Sequence, residues 1–474
     1  MVKPLVIDLD GTLTPVDTLY ESAIRLFSTS PLKTIYQLPL WLSRGKAAMK
    51  AEISARSSVD PATLPWNADV LEHINAARAV GRKVVLCTAS DQDTADRIAE
   101  HLGLFDQVIA SDGTRNLSGD AKARALVEAF GEGGFDYVGN ASADLAVWRH
   151  AGEAIVVSND AGLIQRARKQ GKVAEVIDVP KATARVWARQ LRLKQWAKNT
   201  LLFVPLIAAQ SFTELHLVVI LIAAFVVFGM VASTTYVLND LWDLDADRAH
   251  AHKRYRPLAA GTIPTLQAVV LVPVGLLVGL GLAWLLGEGF FWATLAYLGA
   301  TVAYSFVLKQ IVLMDCIWLA GLFTLRIVAG AAAINQPLSH WLLMFSVFLF
   351  LSLAYLKRYI ELKGKKRRQK LAGRGYAAED LQTIFALGVG AGYASTVVLA
   401  LYLFSPAAME LYTNPYAIVV AVPIMIYWLS YMWHRAHRGE MHHDPVLFAI
   451  QDLTSLLAVA LFFVVFLLGA ALPV

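Results

Sequence analysis

Long apolar runs, separated by short polar connections, make up the chain beyond about residue 199, whereas residues 1–190 are mixed and charged. A run of about 20 apolar residues is long enough to cross a bilayer as a helix. With 57% hydrophobic residues in a chain of 474, there is room for a membrane domain and a soluble domain. We predict about nine transmembrane helices, at 199–212, 215–238, 266–286, 289–308, 311–334, 340–360, 381–404, 415–433 and 447–472.

The change in composition also predicts the domain boundaries. We expect a soluble domain at 1–180, a linker or interfacial segment at 181–198 and a membrane domain at 199–474. The two cysteines, Cys87 and Cys316, fall in a predicted buried strand and a predicted span, so no disulfide framework is expected. Because no cleavable signal peptide precedes the first predicted strand, we expect the soluble domain to stay in the cytoplasm.

The connections between predicted spans alternate in charge. Lysine and arginine occur at 189–194, 253–256, 309, 363–370 and 434–438, and are absent from 210–216, 287–289, 335–340 and 405–416. Basic connections stay on the cytoplasmic side of a membrane. We therefore expect a multi-pass protein of the inner (cell) membrane with a cytoplasmic N-terminus and an external C-terminus.

An acidic segment follows the predicted span at 215–238. At helical spacing, Asp240, Asp243 and Asp247 share one face, and Asn239 adds a carboxamide. A basic segment follows, with Lys253, Arg254 and Arg256. A hard divalent cation that bridges carboxylates to a diphosphate would suit this combination. A charged helix end at a membrane interface is ordinary, but three acids in register before a basic cluster favour a phosphate and metal site.

The soluble domain has the pattern of an α/β fold. Strand-like runs alternate with helical segments, which indicates a parallel sheet, and residues 14–78 read as a helical cap. The predicted strands are Leu5–Leu9, Lys83–Cys87, Gln107–Ala110, Tyr137–Gly139 and Ala154–Val157. Catalytic residues in such folds gather at the carboxyl ends of the strands.

Polar residues stand at or just after those ends, and one more follows a loop. The first are Asp8, Asp10, Thr88, Asn140 and Asp144, and the residue after the loop is Lys122. This ordered set resembles the four motifs of the haloacid-dehalogenase phosphatase superfamily, over residues 1 to about 175. The resemblance implies that Asp8 attacks phosphorus and Asp10 is the general acid and base. It further implies that Thr88 and Lys122 hold the phosphoryl oxygens, and that Asp8, Asp10, Asn140 and Asp144 surround Mg²⁺.

One position departs from that pattern. Members of the superfamily usually carry an acid where this chain has Asn140, and a neutral carboxamide is a weaker ligand for a hard cation. Two alternatives stay open from the sequence: a working phosphatase domain, or a non-catalytic scaffold.

The acidic segment, the basic segment and about nine helices resemble the UbiA-type intramembrane prenyltransferase superfamily, over about 190–474. Most members use two Asp-rich motifs on separate helices to hold Mg²⁺ and a prenyl diphosphate. Where the second motif is expected, this chain has Lys357 and Arg358, with Glu361 as the nearby acid. Cations in place of carboxylates imply fewer metal ions and more direct contact with phosphate oxygens.

This variant is similar to the decaprenyl-phosphate phosphoribosyltransferase branch, as are the segments 193–199, 326–330 and 444–452. That branch transfers phosphoribose from phosphoribosyl diphosphate to a polyprenyl phosphate. The resemblance implies catalytic roles for Asp240 and Asp243, and Mg²⁺ at these residues and Asp247. It implies substrate contacts for Lys194, Lys198, Asn199, Asn239, Lys253, Arg254, Arg256, Tyr304, Lys309, Arg326, Lys357, Arg358, Tyr359 and Glu361.

Arg326 differs from the other cations because it lies well inside an apolar run. An unpaired charge there costs roughly 2.5–3.5 kcal/mol, so a partner is required. Asp315 is about three turns away on the same predicted helix and cannot pair with it directly, which favours a phosphate. Each of the other cations, taken singly, is also explained by interfacial snorkelling.

The sequence thus predicts a transferase that makes polyprenyl-phosphoryl-5-phosphoribose, with a phosphatase domain that removes the 5-phosphate. Its expected partners are phosphoribosyl diphosphate, a polyprenyl phosphate and the membrane, with no nucleic acid; a homo-oligomer is compatible with the sequence. The rivals are a prenyltransferase with a small aromatic acceptor, a scaffold role for the soluble domain, and transport. Nothing in the sequence resembles the inverted repeats with broken helices that are typical of transporters.

Overall fold

The computed structural model describes residues 2–43, 46–57, 59–112, 115–365, 371, 374–441 and 444–471. Part of the basic connection at 363–370 therefore lies outside the described residues. The chain forms two compact units, one of residues 1–191 and 236–273, the other of residues 192–235 and 274–474.

The N-terminal part of the first unit contains a six-stranded sheet in the order β3-β2-β1-β4-β5-β6, with every pair parallel. The strands are Leu5–Ile7 (β1), Val84–Asp91 (β2), Gln107–Ser111 (β3), Asp136–Gly139 (β4), Ala154–Val157 (β5) and Val173–Ile177 (β6). The prediction of a parallel-sheet α/β domain is confirmed. In the central register, Ile7 pairs with Leu86 on one side and Val138 on the other, so the residues that follow these strands emerge at one edge.

Helices cover this sheet, and four of them lie between β1 and β2 as the cap prediction requires. The helices are Thr18–Thr29 (α1), Pro31–Ser43 (α2), Lys46–Arg56 (α3), Ala68–Ala79 (α4), Gln92–Leu102 (α5), Asp120–Phe130 (α6), Leu145–Trp148 (α7), Ala161–Gln170 (α8) and Ala184–Gln190 (α9). Asp17 caps α1 by accepting from the backbone N–H groups of Leu19 and Tyr20. Buried aliphatic clusters on both faces of the sheet, with members such as Ile7 and Val85, hold these layers together.

The rest of the chain is helical. A 3₁₀ stretch, Leu193–Phe203, comes first, and the helices are Val204–Ala208 (α10), Leu215–Trp242 (α11), Leu244–Ala249 (α12), Thr265–Leu286 (α13), Glu288–Phe306 (α14), Met314–Ala333 (α15), His340–Leu362 (α16), Leu381–Leu403 (α17), Pro406–Leu411 (α18), Ala421–Arg438 (α19), Pro445–Gln451 (α20) and Leu453–Ala471 (α21). The prediction of an all-α, polytopic membrane domain is confirmed.

Seven of the described helical stretches are long and apolar enough to cross a membrane: Leu215–Trp242, Thr265–Leu286, Met314–Ala333, His340–Leu362, Ala378–Leu403, Tyr416–Arg438 and Leu453–Ala471. The span expected at 289–308 forms the long helix α14 but is not among these seven. The span expected at 199–212 is instead the end of the 3₁₀ stretch and the short α10. That segment is too short and too irregular to cross a bilayer as one helix.

The 3₁₀ stretch lies tightly against α15. A Cβ on Gly330 would stand 2.0 Å from the carbonyl oxygen of Leu202, so only glycine permits this approach. Leu202 belongs to a buried cluster with Phe228, Tyr297 and Ala329. The contact therefore fixes the 3₁₀ stretch against the C-terminal half of α15.

Candidate active sites

A buried charge cluster lies at the carboxyl edge of the sheet. Lys122, on α6, donates to Asp8 Oδ1 at 2.7 Å and to the hydroxyl of Tyr137 at 2.9 Å. Tyr137 donates to Asp144 Oδ1 at 2.9 Å, and Lys122 Nζ is 3.8 Å from that same oxygen. Asp8, Lys122 and Asp144 are 2–6% exposed. One ammonium thus serves two carboxylates, which leaves a negative site that needs another cation before a phosphate can approach.

Asp10 and Thr88 also lie at the carboxyl edge of the sheet. Asp10 accepts from the backbone N–H of Thr18 at 2.7 Å and from the hydroxyl of Ser90. Thr88 is fully buried, and its hydroxyl accepts from the N–H of Ser90 at 3.0 Å. The hydroxyl of Ser90 also lies 2.9 Å from that of Thr18. The sequence did not single out Thr18 or Ser90, and together they hold the Asp10 carboxylate in one orientation.

Asn140 lies against the turn that follows Asp8. The side-chain oxygen of Asn140, Oδ1, accepts from the Thr12 hydroxyl at 3.2 Å. A Cβ on Gly11 would stand 2.0 Å from Asn140 Nδ2. Gly11 has φ +76°, so a glycine is needed there both for conformation and for space. Asp144 Oδ2 accepts from the N–H groups of Asn140 and Ala141. These bonds fix the loop after β4.

Burial raises the pKa of Asp8 to about 7, although Lys122 opposes the shift. Carboxylate, carboxamide and carbonyl oxygens are ligands that Mg²⁺ accepts. Among the described residues, however, no group of three or more His, Cys, Asp or Glu side chains is placed to hold a metal. The chemistry of Asp8, Asn140 and Asp144 suits Mg²⁺, while Asp144 already accepts three hydrogen bonds from protein donors.

The acidic segment spans the end of α11 and the short α12. Backbone bonds from Asp243 N to Asn239 O and from Asp247 N to Asp243 O, 2.9 and 2.8 Å long, keep nearly helical spacing across the break. Arg256 contacts two of the acids: its Nη1 is 3.0 Å from Asp240 Oδ1 and also bonds Asp247 Oδ2. The structure therefore brings Asp240 and Asp247 together around one guanidinium.

The other polar residues of this region differ in their contacts. Lys253 Nζ is 3.6 Å from Asp247, and Asn239 donates to Asp243 Oδ2 at 3.2 Å. Arg254 contacts the ring and hydroxyl of the exposed Tyr255. Three carboxylates suit Mg²⁺ chemically, yet Arg256 supplies the positive charge between two of them in this arrangement. A bound cation would have to share these oxygens with Arg256 or displace it.

Gln190 is a site residue that sequence reasoning missed. It is 1% exposed at the end of α9, donates to Asp240 Oδ2 at 2.9 Å and accepts from the N–H of Leu258 at 3.2 Å. Gln190 thus orients the side chain of Asp240. A lone glutamine in a predicted linker carries no local signal of this role.

In the second unit, two lysines converge on one carboxylate. Lys198 and Lys357 lie 2.9 and 3.0 Å from the same oxygen, Asp444 Oδ2. Burial and, to a lesser extent, Lys357 lower the pKa of Lys198 to about 8, although Asp444 opposes the shift. Burial alone would raise the pKa of Asp444, but the two lysines hold it well below its usual range.

Arg326 adds a third cation to this cluster. Its guanidinium carbon and Lys198 Nζ both lie over the ring of Phe323, at 5.3 and 5.5 Å. Arg326 is 5% exposed and donates to Asn199 Oδ1, Tyr297 Oη and Leu322 O. All three acceptors are neutral, and no carboxylate among the described residues pairs with it. The structure thus agrees with the sequence argument that Asp315 does not neutralise Arg326.

Arg358 lies in a different network, in which its buried Nη2 has no hydrogen-bond partner among the described residues. It is fully buried, with Nε 2.7 Å from Asp315 Oδ2 and Nη1 bonded to Glu361. Arg374 contacts the same two acids at 3.2 and 3.6 Å and donates to the hydroxyl of Tyr304. The positive charges of the two arginines equal the negative charges of the two carboxylates. The phosphate contact expected for Arg358 is therefore less well supported here than for the Arg326 cluster.

The remaining predicted residues differ in their burial. Lys194 is exposed, Lys309 is half-buried, and Tyr359 shares a hydrogen bond of 3.0 Å with His437. An apolar cavity of about 640 Å³ also lies in the second unit. Its walls include Val204, Ile207, Trp341, Phe345, Phe462 and Phe466. A cavity with these walls accepts hydrocarbon.

Comparison with known proteins agrees with both halves of this description. Residues 200–466 match the sequence profile of the UbiA prenyltransferase family, and residues 5–149 match that of haloacid dehalogenase-like hydrolases. The uncharacterized protein y4nM of Sinorhizobium fredii is 39% identical over 456 residues, which are 95% of this chain and 88% of that protein.

Two further relatives each match about half of the chain. Nodulation protein NoeC of Azorhizobium caulinodans is 36% identical over 275 residues, 56% of this chain and 88% of its own. The decaprenyl-phosphate phosphoribosyltransferase of Mycolicibacterium smegmatis is 35% identical over 212 residues, 43% of this chain and 66% of its own. Because the first profile covers more than half of the sequence, the chain belongs to the UbiA prenyltransferase family, with a haloacid dehalogenase-like domain at its N-terminus.

Proposed function

We propose that the membrane domain transfers 5-phosphoribose from phosphoribosyl diphosphate to a polyprenyl phosphate. The observation that carries this proposal is the cluster of Lys198, Lys357 and Arg326. The two lysines share the single carboxylate Asp444, and Arg326 donates only to neutral acceptors. Buried positive charge in excess of its counter-ions requires an anion. The name of the relative from Mycolicibacterium smegmatis, decaprenyl-phosphate phosphoribosyltransferase, supports a phosphoribosyl group as the one transferred and a polyprenyl phosphate as its acceptor.

In the proposed step, an oxygen of the lipid phosphate forms a bond to the anomeric carbon of the ribose. The bond from that carbon to the diphosphate oxygen breaks, and diphosphate leaves with the electron pair. No protein base is needed, because the attacking phosphate is already anionic. Lys198, Lys357 and Arg326 would hold phosphate oxygens by charge-assisted hydrogen bonds. In the first unit, Asp240, Asp243 and Asp247 would hold Mg²⁺, which supplies positive charge for a diphosphate.

The chemistry of the substrates indicates where the protein lies in the cell and on which side of the membrane its transferase site opens. A soluble, highly anionic donor requires a site that is open to the cytoplasm, and the basic connections are expected on that side. The apolar cavity would accept part of the prenyl chain. We therefore assign the protein to the cell membrane, with its N-terminal domain in the cytoplasm.

We further propose that the N-terminal domain removes the 5-phosphate and leaves polyprenyl-phosphoryl ribose. The bond between Lys122 and Asp8 and the burial of Thr88 support this step, in which Asp8 would be the nucleophile and Lys122 and Thr88 would hold phosphate oxygens. The alternative is a non-catalytic scaffold, favoured by the neutral side chain of Asn140 and by the bonds that Asp144 already accepts.

The donor assignment is tested by measuring diphosphate release from the purified full-length protein. We expect release with phosphoribosyl diphosphate plus a polyprenyl phosphate, and none with a prenyl diphosphate plus an aromatic acceptor. The control omits the lipid phosphate and should release no diphosphate. The reverse donor preference would reject the proposed function.

Lys198 predicts a pH dependence for the same reaction. Its lowered pKa means that the free enzyme loses this charge as the pH rises through about 8, so kcat/KM for the donor should fall there by about tenfold. Lys198→Arg should move the fall to higher pH, because arginine stays charged. Rates measured between about pH 6.5 and 9.5 check this. A flat profile for the wild type would remove Lys198 from donor binding.

A further inference from the structure

A buried ion pair links the cap of the haloacid dehalogenase-like domain to the acidic segment. Glu21, on α1, accepts two hydrogen bonds from Arg248, on α12, at 2.8 and 3.1 Å. The two side chains are only 2% and 3% exposed. Arg248 directly follows Asp247, so this contact lies next to the acids of the proposed transferase site.

The same two residues also bond other parts of the connection between α11 and α13. Arg248 Nε donates to the carbonyl of Ala259 at 3.0 Å, and Thr265, at the start of α13, donates to Glu21 Oε1 at 2.9 Å. Both oxygens of Glu21 are therefore bonded to parts of this connection. Gly261, with φ +70°, packs against Pro15, and a Cβ there would stand 2.7 Å from its ring.

Further contacts lie along the same side of α1. Ile24, one turn after Glu21, packs with Leu241 and Leu244. Arg25 Nε is 3.4 Å from Asp245, and the ring of Phe27 meets that of Trp242 edge-on at 6.3 Å. Helix α1 thus contacts the acidic segment over two turns.

A bidentate pair that is removed from water gains little net stability, because desolvation offsets the attraction. What it does impose is geometry, since a guanidinium meets a carboxylate in one plane and at one distance. Arg256, Gln190 and Asn239 already orient individual carboxylates of the acidic segment. The Glu21–Arg248 pair instead fixes the backbone that carries them.

We propose that Glu21 is a positioning residue for the transferase, so that the N-terminal domain is an integral part of that site whether or not it hydrolyses phosphate. This inference rests on the proposed function for its activity readout. It implies that the same helix serves two sites, because the N–H of Thr18, one turn before Glu21, bonds the carboxylate of Asp10.

The test uses Glu21→Gln in the full-length protein, which keeps the shape and leaves Arg248 buried without its counter-charge. We expect diphosphate release from phosphoribosyl diphosphate to fall by about tenfold or more. Amide hydrogen exchange of the peptide covering 240–249 should rise, while exchange in the central strands of the sheet stays at the wild-type level. Thr265→Val, which removes one donor to Glu21, should give a smaller effect in the same direction.

Glu153→Gln is the matched control, because it breaks an exposed ion pair with Lys172 in the same domain and should change neither readout. Combining Glu21→Gln with Arg248→Met should lose little more activity than the worse single variant, as expected for residues that act as one pair. Wild-type exchange at 240–249 in Glu21→Gln overturns the proposal, and so does an equal rise throughout the domain. Exchange is read without any donor, so failure of the donor assignment is distinguishable from failure of this proposal.

Discussion

Asp240→Asn is expected to lower transferase turnover by two to three orders of magnitude, about 10²–10³-fold, while the protein stays folded. Asp240 is 3% exposed and bonds both Arg256 and Gln190. Asparagine keeps the size of the side chain but removes the negative charge, and its amide group must turn toward a donor. The variant therefore loses affinity for a cation and misorients Arg256 at the same time.

Diphosphate release at increasing Mg²⁺ concentration measures the effect. Asp245→Asn is the matched control: it removes a carboxylate from the same segment, but one whose side chain is 47% exposed and pairs with Arg25. We expect that control to stay within about threefold of the wild type. Near-normal turnover of Asp240→Asn at ordinary Mg²⁺ would exclude the role that we assign to this carboxylate.

The sequence was sufficient for the elements whose burial pattern is strong. Five strands were predicted at the right places, because each is an apolar run bounded by turns. Val173–Ile177 was missed since it is an edge strand with Glu175 exposed, so its pattern is not that of a buried strand. The segment 199–212 was read as a span because periodicity does not distinguish a short irregular stretch from one end of a membrane helix.

The residues of the candidate sites also divide into those that the sequence predicted and those that it did not. Asp8 and Asp144 come together because the parallel register brings the ends of β1 and β4 to one edge, which the sequence order already implies. Lys122 reaches them from the first turn of α6. Gln190 and Arg374 were not predicted. Their roles depend on which carboxylate each side chain reaches in the folded chain, and local sequence carries no information about that.

Asp315 illustrates the difference most clearly. The sequence placed it on the same helix as Arg326 and excluded a direct pair, a conclusion that helical geometry alone permits. Its actual partners, Arg358 and Arg374, lie 43 and 59 residues further along the chain. This chain therefore has two groups of charges where the second Asp-rich motif is expected. In one group the two arginines balance Asp315 and Glu361, and the other is the positively charged cluster of Lys198, Lys357 and Arg326.

The largest effect in the soluble domain is expected from Asp8→Asn, which removes the proposed nucleophile. Hydrolysis of the ribose 5-phosphate should fall by at least about a thousandfold, and the lipid product should keep its 5-phosphate. Mass spectrometry of the lipid measures this directly. Asp8 is bonded to Lys122, and asparagine retains the oxygen that accepts that bond. The loss should therefore reflect chemistry and not unfolding, which a thermal melt of the variant checks.

Asn140→Asp provides the opposite change and decides between phosphatase and scaffold. The wild type should hydrolyse slowly, because Asp8, Asp10, Lys122 and Asp144 are all in place and only position 140 lacks a charge. An aspartate there keeps an oxygen for the Thr12 hydroxyl and replaces the Nδ2 that faces Gly11 with a second carboxylate oxygen. That added charge should raise the hydrolysis rate, or lower the Mg²⁺ concentration required, by about tenfold. If the wild type, Asn140→Asp and Asp8→Asn all leave the 5-phosphate in place, the domain is a scaffold and the second step of the proposed function fails.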